Sequence, residues 1–394
     1  MNRNIEPYGE RTGHVALRRA LVAGGALAPD WVPAFDAVPR AAFLPDLMWP
    51  FDMAAGRSVA VSKAHDPDLW HRYADADVPL VTQWDDGEQV GTEPGATPTS
   101  SASMPSVVFR MLRDLDLRPG HRVLEIGTAT CWNAALMAHR AGPGLVVTME
   151  VDEALARAAR ARAERLGVAV RVVHGDGFRG CPEAAPYDRL IATCGARVLP
   201  FSWVTQCRPG GVIVAPWGTR FGNGDAVARL VVGPAGEGAS GHFTGPVEFM
   251  KLRGQRSAFP GHAAYVTGSV ADGDETSTTV REAEFVAEGR FDPLAFALGL
   301  RVPDCCQVVA ERRDGARPVW FYGLADRSWA CVWFRDGGAA RVWQSGPRRL
   351  WDEVESAFRW WVGQRRPGHE RFGLTVTARG QFAWLDDPGR AWPV

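Results

Sequence analysis

The sequence predicts an α/β protein: a mostly parallel, doubly wound sheet followed by a separate α+β module. Three observations lead there. Apolar strand-length runs alternate with helical patterns from residue 106 to 232. The texture changes after about residue 250 to short aromatic strands. Ahead of the alternating region, TQWDDGEQVGTEPGATPTSSAS has no apolar period at all. A length of 394 residues suggests two or three domains with ample chain for a core. Hydrophobic residues at 46% and charged residues at 23% are ordinary for a soluble globular protein. A net charge of −1 gives no bulk electrostatic reason for a nucleic-acid or membrane-surface partner. Arg3, Glu6, Glu10, Arg11, Arg18 and Arg19 break up any apolar signal segment, and no later run reaches the length of a membrane span. A cytoplasmic protein is expected. Seven scattered cysteines, with Cys305 beside Cys306 and no C-x-x-C, point to reduced thiols rather than zinc or disulfides.

Residues 12 to 30 carry a helical pattern (Val15, Leu17, Ala20, Leu21, Ala23) interrupted by Gly24-Gly25, and a shorter helix is expected from Pro33 into VPRAAFLPD. Residues 81 to 103 read as a long loop, and long structureless loops are often functional. A helix over 106–116 precedes strand 121–126, and a helix over 132–141 leads to strand 145–150. The alanine-rich DEALARAARARAERLG is a helix closed by Gly167. Strands 170–174, 188–193 and 211–216, with a helix near 199–207, complete the run. Strands separated by helices imply right-handed crossovers and a sheet covered on both faces. Further on, PVWFYGLA, SWACVWFR and AARVWQSG are aromatic strands, with DGG at 336–338 marking a hairpin. Leu350, Val354, Phe358 and Trp361 share one helical face, and GLTVTARGQFAWLD closes with another hairpin. Nine of the sixteen tryptophans lie beyond residue 319, which makes this module the aromatic part of the chain. The expected divisions are 1–105, 106–249 and 250–394.

In a doubly wound sheet the ligand lies outside the carboxyl ends of the strands. The residues there are Glu125, Gly127, Thr128 and Ala129 after the first strand, and Glu150 after the second. Gly175, Asp176 and Gly177 follow the third, and Thr193 the fourth. A carboxylate at Glu150 can accept both hydroxyl protons of a ribose, and one at Asp176 can accept from an exocyclic adenine amine. Singly, each is more often a solvated loop charge or a turn; their joint placement raises the odds. Ala129 and Cys131 stand where two glycines are expected. A dinucleotide needs those glycines because its pyrophosphate must approach the backbone closely. S-adenosylmethionine has no phosphate, and a left-handed Ala129 would cost about 1–2 kcal/mol. The missing glycines therefore argue against NAD more than against a methyl donor. H-E-x-x-H and G-x-S-x-G motifs are absent from the sequence, and no metal is expected.

VLEIGTATCWNAAL, VVTMEVD, VVHGDGF, APYDRLIATCGA and CRPGGVIVAPWG follow one another as in the protein-L-isoaspartate O-methyltransferases, and the upstream VPRAAFLPD resembles a segment characteristic of that family. The resemblance spans roughly residues 12 to 232. It implies a Rossmann-like class I S-adenosylmethionine-dependent methyltransferase, here with an additional α+β C-terminal domain. It also implies cofactor contacts from Glu125, Gly127, Thr128, Ala129, Glu150, Val151, Gly175, Asp176, Gly177 and Thr193. The family's Q-T-I-S-Q-P stretch corresponds to residues 100–105, where Ser103 and Pro105 survive and both glutamines and the threonine do not. The resemblance places Ser103 beside the reacting carboxylate and methyl group, Ser101 in substrate contact, and Asp77 of YADADVPL at the substrate loop. Helix N-capping is the alternative reading of Ser103.

The expanded loop and residues 250–394 depart from a plain repair enzyme. With VTQWDDG, PTSSASMPS and GQFAWLDDPGRAWPV they resemble a branch that accompanies ribosomally made, modified peptides such as lanthipeptides and ATP-grasp-crosslinked peptides. That resemblance implies methylation of an ordinary aspartate in a precursor peptide, including one already crosslinked, with closure of the ester to an aspartimide. The C-terminal module would then recognise the peptide through a row such as Trp329, Cys331 and Trp333, which share one strand face. A buried core is the plainer reading of Trp320, Trp329, Trp333, Trp343 and Trp361. Two other functions stand beside this one: an isoaspartyl repair enzyme, and a non-catalytic peptide-binding homologue. The lost glycines favour the last; retention of Glu125, Gly127, Glu150, Asp176 and Ser103 opposes it.

Overall fold

The computed structural model describes residues 12–52, 56–257, 261–286, 289, 291–335 and 339–394. Two compact units are present: Met1–Cys194 with Pro200–Ala215 and Arg229–Ala239, and Gly195–Leu199 with Pro216–Ala228 and Ser240–Val394.

In the first unit the opening helix, Thr12–Ala23, is shorter than its pattern because Gly24-Gly25 ends it, with Gly25 at a φ of 69°. The parallel strands are β1 (Val123–Ile126), β2 (Val146–Glu150), β3 (Val170–His174), β4 (Tyr187–Ala192) and β5 (Cys207–Trp217), in the order β3-β2-β1-β4-β5. Every residue of β1, β2 and β4 is buried, as a sheet covered on both faces requires. Helix Trp132–Ala141 crosses from β1 to β2 and helix Glu153–Arg165 from β2 to β3. The second buries only Ala156, Ala159 and Ala163, whose small side chains allow close approach to the strands. Strand order reverses at β1, which puts the switch point beside the loop that follows it.

Residues 81–103 are not a structureless loop. Leu80–Trp84 pairs antiparallel with Pro98–Ala102, with register shifts on both sides of Gln83. The tip is held by Asp85, whose carboxylate accepts the amides of Thr97 at 2.7 Å and Ala96 at 2.9 Å. Asp85 and Asp86 adopt left-handed φ values of 48° and 54°. A Cβ on Gly95 would lie 2.2 Å from Asp85 Oδ2, which explains glycine there. Side-chain-to-backbone bonds of this kind have no apolar period, so hydropathy does not reveal them. Helix Pro105–Leu115 is capped from outside its own sequence: Asp77 Oδ1 accepts the Ser106 amide at 2.8 Å, and the N-cap position is Met104. The N-cap reading of Ser103 is thereby overturned.

In the second unit an antiparallel sheet runs Asp274–Thr278, Ala340–Ser345, Trp329–Arg335, Ala316–Gly323, Cys305–Val309. The DGG turn at 336–338 lies outside the described residues; the strands flanking it pair from Trp329↔Ser345 to Trp333↔Arg341. Helix Leu350–Gly363 buries Leu350, Val354, Phe358 and Trp361. Trp329 and Cys331 are buried against Tyr265 and Val266, with Trp320, Trp333 and Trp343 partly buried around them. Most of the tryptophan row is therefore internal to the unit. The closing hairpin, Phe372–Thr377 with Gly380–Leu385, places Gln381 to accept the Leu199 amide at 2.8 Å and donate to the Arg197 carbonyl at 3.0 Å. Among the described residues no helix is long and apolar enough to cross a membrane.

Candidate active site

Glu125, at the buried end of β1, accepts from Asn133 Nδ2 at 2.7 Å and from Thr148 Oγ1 at 2.5 Å. When Glu125 is ionised the Thr148 proton is committed to it, and Thr128 Oγ1, 2.7 Å from Thr148 Oγ1, is then the donor of that pair. Burial pushes the Glu125 carboxyl from 4.5 up to about 7; the two hydrogen bonds oppose the shift and the charge of Glu150 adds to it. A carboxyl whose value is raised on folding keeps its proton longer in the folded chain. Stability therefore falls as pH rises from about 4.5 to about 7 and is level above that, a loss of about 3 kcal/mol if the whole shift is realised. Glu125→Gln keeps an acceptor for Asn133 and removes the titration. Thermal melts between pH 5 and pH 8 should be flatter for E125Q than for the wild type, and E125Q should be the more stable at the upper end. Parallel pH profiles would show that Glu125 does not titrate in this window.

The loop after β1 turns at Gly127, with a φ of 99°, where a Cβ would lie 2.6 Å from Thr193 Oγ1. Ala129 and Cys131 then adopt left-handed φ values of 43° and 70°. Each costs about 1–2 kcal/mol relative to glycine. The Cys131 thiol is buried, which pushes it up to about 12 and leaves it protonated and unreactive. Glu150 Oε2 accepts the Ala129 amide at 2.9 Å, and its Oε1 accepts the Asp152 amide at 3.1 Å. In a phosphate-binding loop an amide in this position faces the ligand. Here a carboxylate takes it.

The β3 and β4 ends complete the rim. The Gly175 amide bonds the Glu150 carbonyl at 2.9 Å. Asp176 is exposed and its Oδ1 accepts the Phe178 amide at 2.9 Å, opening a short turn. A Cβ on Gly177 would lie 2.5 Å from Ile126 Cγ2, so only glycine fits between β3 and β1 there. Thr193 Oγ1 donates to the Gly127 carbonyl at 2.5 Å, tying the β4 end to the β1 loop. Val151 is 38% exposed. Glu125, Gly127, Thr128, Ala129, Glu150, Val151, Gly175, Asp176, Gly177 and Thr193 thus all stand at or just beyond the carboxyl ends of β1–β4.

Ser103 and Asp77 are brought together by a residue that sequence reasoning passed over. Buried Arg40, from VPRAAF, donates to the carbonyls of Ala76 at 3.2 Å, Val78 at 3.0 Å, Ala102 at 2.9 Å and Ser103 at 3.0 Å. Burial lowers the guanidinium to about 9, opposed by Asp77 and Asp75, so it stays charged at neutral pH. Ser101 sits in the hairpin strand opposite Val81. Gln83 was missed as well; its Nε2 donates to Asp152 Oδ2 at 3.2 Å. The visible signals were an arginine among apolar neighbours, and for Asp152 an acidic N-cap before an alanine-rich helix. Among the described residues, no group of three or more His, Cys, Asp or Glu is placed to hold a metal ion.

A β3-β2-β1-β4-β5 core with an acidic residue closing β2 is the fold of class I S-adenosylmethionine-dependent methyltransferases. A solved protein-L-isoaspartate O-methyltransferase superposes with a TM-score of 0.53 at 22% identity, covering 95% of this chain and 100% of that one. The family profile described as Protein-L-isoaspartate(D-aspartate) O-methyltransferase (PCMT) matches residues 71–233. A protein-L-isoaspartate O-methyltransferase of Methylorubrum extorquens (strain PA1) is 34% identical over 241 residues, 61% of this chain and 88% of the relative. Those of Thermotoga maritima and Hyperthermus butylicus are 38% and 43% identical over 36% and 30% of this chain. The chain spans about half the length of these two, 43% and 54%. The chain belongs to the protein-L-isoaspartate O-methyltransferase family. Because the structural alignment reaches 95% of the chain, residues beyond 250 fall largely within it. A C-terminal extension does not by itself set this chain apart from a solved protein of that name.

Proposed function

We propose that the chain is an S-adenosylmethionine-dependent O-methyltransferase that esterifies an aspartate side chain in a constrained ribosomal peptide, the ester then closing to an aspartimide. The observation that carries the cofactor assignment is the bond from the Ala129 amide to Glu150. It takes the amide that a phosphate would need and sets the Glu150 carboxylate beneath the loop, which suits a ligand without phosphate whose hydroxyls donate to that carboxylate. Glu150 would hold the ribose hydroxyls, Asp176 the adenine amine, and Gly127 to Ala129 the amino-acid tail. When bound, S-adenosylmethionine supplies an activated methyl group. An aspartate carboxylate is already ionised at neutral pH, so alignment and exclusion of water matter more than a general base. Ser103 orients that carboxylate through its hydroxyl, and the 80–102 hairpin shields it. In the second step the backbone nitrogen after the aspartate attacks the ester carbonyl. The new C–N bond forms, the C–OCH₃ bond breaks, and methanol leaves with the amide proton.

The altered stretch at 100–105 and the built hairpin support an ordinary aspartate as substrate. The names of the relatives favour a second reading, repair of isoaspartyl residues. Peptide recognition is assigned to the second unit. A cut at residue 250 would split that unit, so Trp320→Ala is a better probe of it than truncation. Mass spectrometry decides between the two substrates. The chain is incubated with S-adenosylmethionine and either an isoaspartyl peptide or a constrained precursor bearing ordinary aspartate. A methyl gain followed by loss of methanol on the ordinary aspartate alone supports maturation. Turnover of the isoaspartyl peptide alone returns the chain to repair. If neither peptide reacts and calorimetry detects no cofactor binding, the chain is a non-catalytic homologue.

A further inference from the structure

We propose that Gln83 couples the seating of the 80–102 hairpin to the Glu150 carboxylate, so that hairpin and cofactor site close as one unit. This rests on the role given above to Glu150. The bonds form a directed chain. The Asp86 amide donates to Thr99 Oγ1 at 3.1 Å, and Thr99 Oγ1 donates to Gln83 Oε1 at 2.9 Å. Gln83 Nε2 donates to Asp152 Oδ2 at 3.2 Å, and the Asp152 amide donates to Glu150 Oε1 at 3.1 Å. The same Glu150 carboxylate takes the Ala129 amide of the loop after β1. A continuous path therefore leads from the hairpin tip to the residues that would hold the adenosine and the methionine tail.

Two features show that this path is built in. The strand pairing shifts register immediately before and after Gln83, and such bulges re-aim a side chain out of the regular alternation. Asp152, for its part, has little freedom to turn away. Its Oδ1 accepts the Leu155 amide at 3.0 Å and caps helix Glu153–Arg165, where the helix dipole favours a negative charge. The amide of Gln83 accepts from a hydroxyl through Oε1 and donates to a carboxylate through Nε2 at once. Glutamate there would set two carboxylates against each other, and an apolar residue would remove the bonds to both Thr99 and Asp152. Gln83 is a positioning residue. By linkage, whatever the hairpin holds should tighten the cofactor, and the cofactor should tighten the hairpin by the same factor.

The test uses the full chain and S-adenosylhomocysteine, with calorimetry for affinity and a glutamate-specific protease for the hairpin. Glu88 and Glu93 are exposed at the tip and report its opening. In the wild type, S-adenosylhomocysteine should slow cleavage at both. Gln83→Glu should bind it roughly tenfold more weakly and lose the protection at Glu88 and Glu93, with any cut at the introduced carboxylate scored separately by fragment mass. The double variant Q83E/D152N should recover both, because an asparagine amide donates to the new carboxylate and still caps the helix. Gln83→Met, near in shape and uncharged, should move in the same direction as Q83E and covers the case in which Q83E folds poorly. Wild-type affinity in Q83E and Q83M overturns the coupling, as does cleavage that ignores a bound ligand or a double variant no better than Q83E. A wild-type chain that does not bind S-adenosylhomocysteine overturns the function proposed for Glu150 and the coupling with it.

Discussion

Arg40→Met should destabilise the first unit by about 3–5 kcal/mol. The side chain is 2% exposed, and its guanidinium serves four carbonyls in two separate segments, 76–78 and 102–103. Methionine fills the stem but offers no donor, so these carbonyls lose a charged partner in a place water reaches poorly. The contact with the Trp132 ring, 5.7 Å from the guanidinium carbon, disappears too. For a unit of this size the loss corresponds to a fall in melting temperature on the order of 10 °C. Arg40→Lys should fall between the two, because one ammonium cannot span the fork of a guanidinium. Function should fail before the fold does. Arg40 sets the backbone at Ser103 and beside Asp77, which caps the helix leading to β1. Differential scanning calorimetry decides the matter: an R40M chain melting within about 2 °C of the wild type would remove Arg40 from this role.

What could be read from the sequence follows from where each signal lies in the chain. The parallel core was legible because its strands carry strand-length, mostly apolar runs and its helices keep their period. Glu125 and Glu150 were legible because strand ends in this topology face a common rim. The left-handed turns at Ala129 and Cys131 were legible as an absence of glycine in a place that demands its conformations. The hairpin was not. Its tip is held by Asp85 against the amides of Ala96 and Thr97, eleven and twelve residues away, and a polar, Gly- and Pro-rich segment looks the same whether or not such bonds form. Arg40 was hidden for a related reason: its four acceptors are backbone carbonyls 36 to 63 residues distant, and carbonyls carry no residue identity. The tryptophans beyond 319 were ambiguous because strand alternation says which side chains share a face. It does not say what covers that face. The segment carrying Tyr265 and Val266 covers it, and nothing in its composition announces the contact.

Glu150→Ala should raise the dissociation constant for S-adenosylhomocysteine roughly a hundredfold or more, since two charge-assisted hydrogen bonds to the ribose would be lost. The fold should suffer less. The Ala129 and Asp152 amides lose their shared acceptor, but they lie at a strand end rather than in the sheet, and the melting temperature should fall by only a few degrees. Glu150→Gln retains one acceptor oxygen and should lose roughly tenfold. Asp176→Ala should weaken binding less than Glu150→Ala, because Asp176 is exposed and shares its charge with water. Ser103→Ala should do the opposite of all three: affinity for S-adenosylhomocysteine unchanged and kcat on a reacting peptide lower by roughly ten- to a hundredfold, the mark of a contact made to the reacting carboxylate alone. Calorimetry beside steady-state kinetics separates the two classes of residue. If Glu150→Ala binds as the wild type does, the carboxylate belongs to the loop and its amides rather than to a ribose. The left-handed strain at Ala129 and Cys131 would then serve only the fold. If Ser103→Ala weakens affinity and leaves kcat alone, Ser103 supports the cofactor side, and another residue must orient the substrate carboxylate.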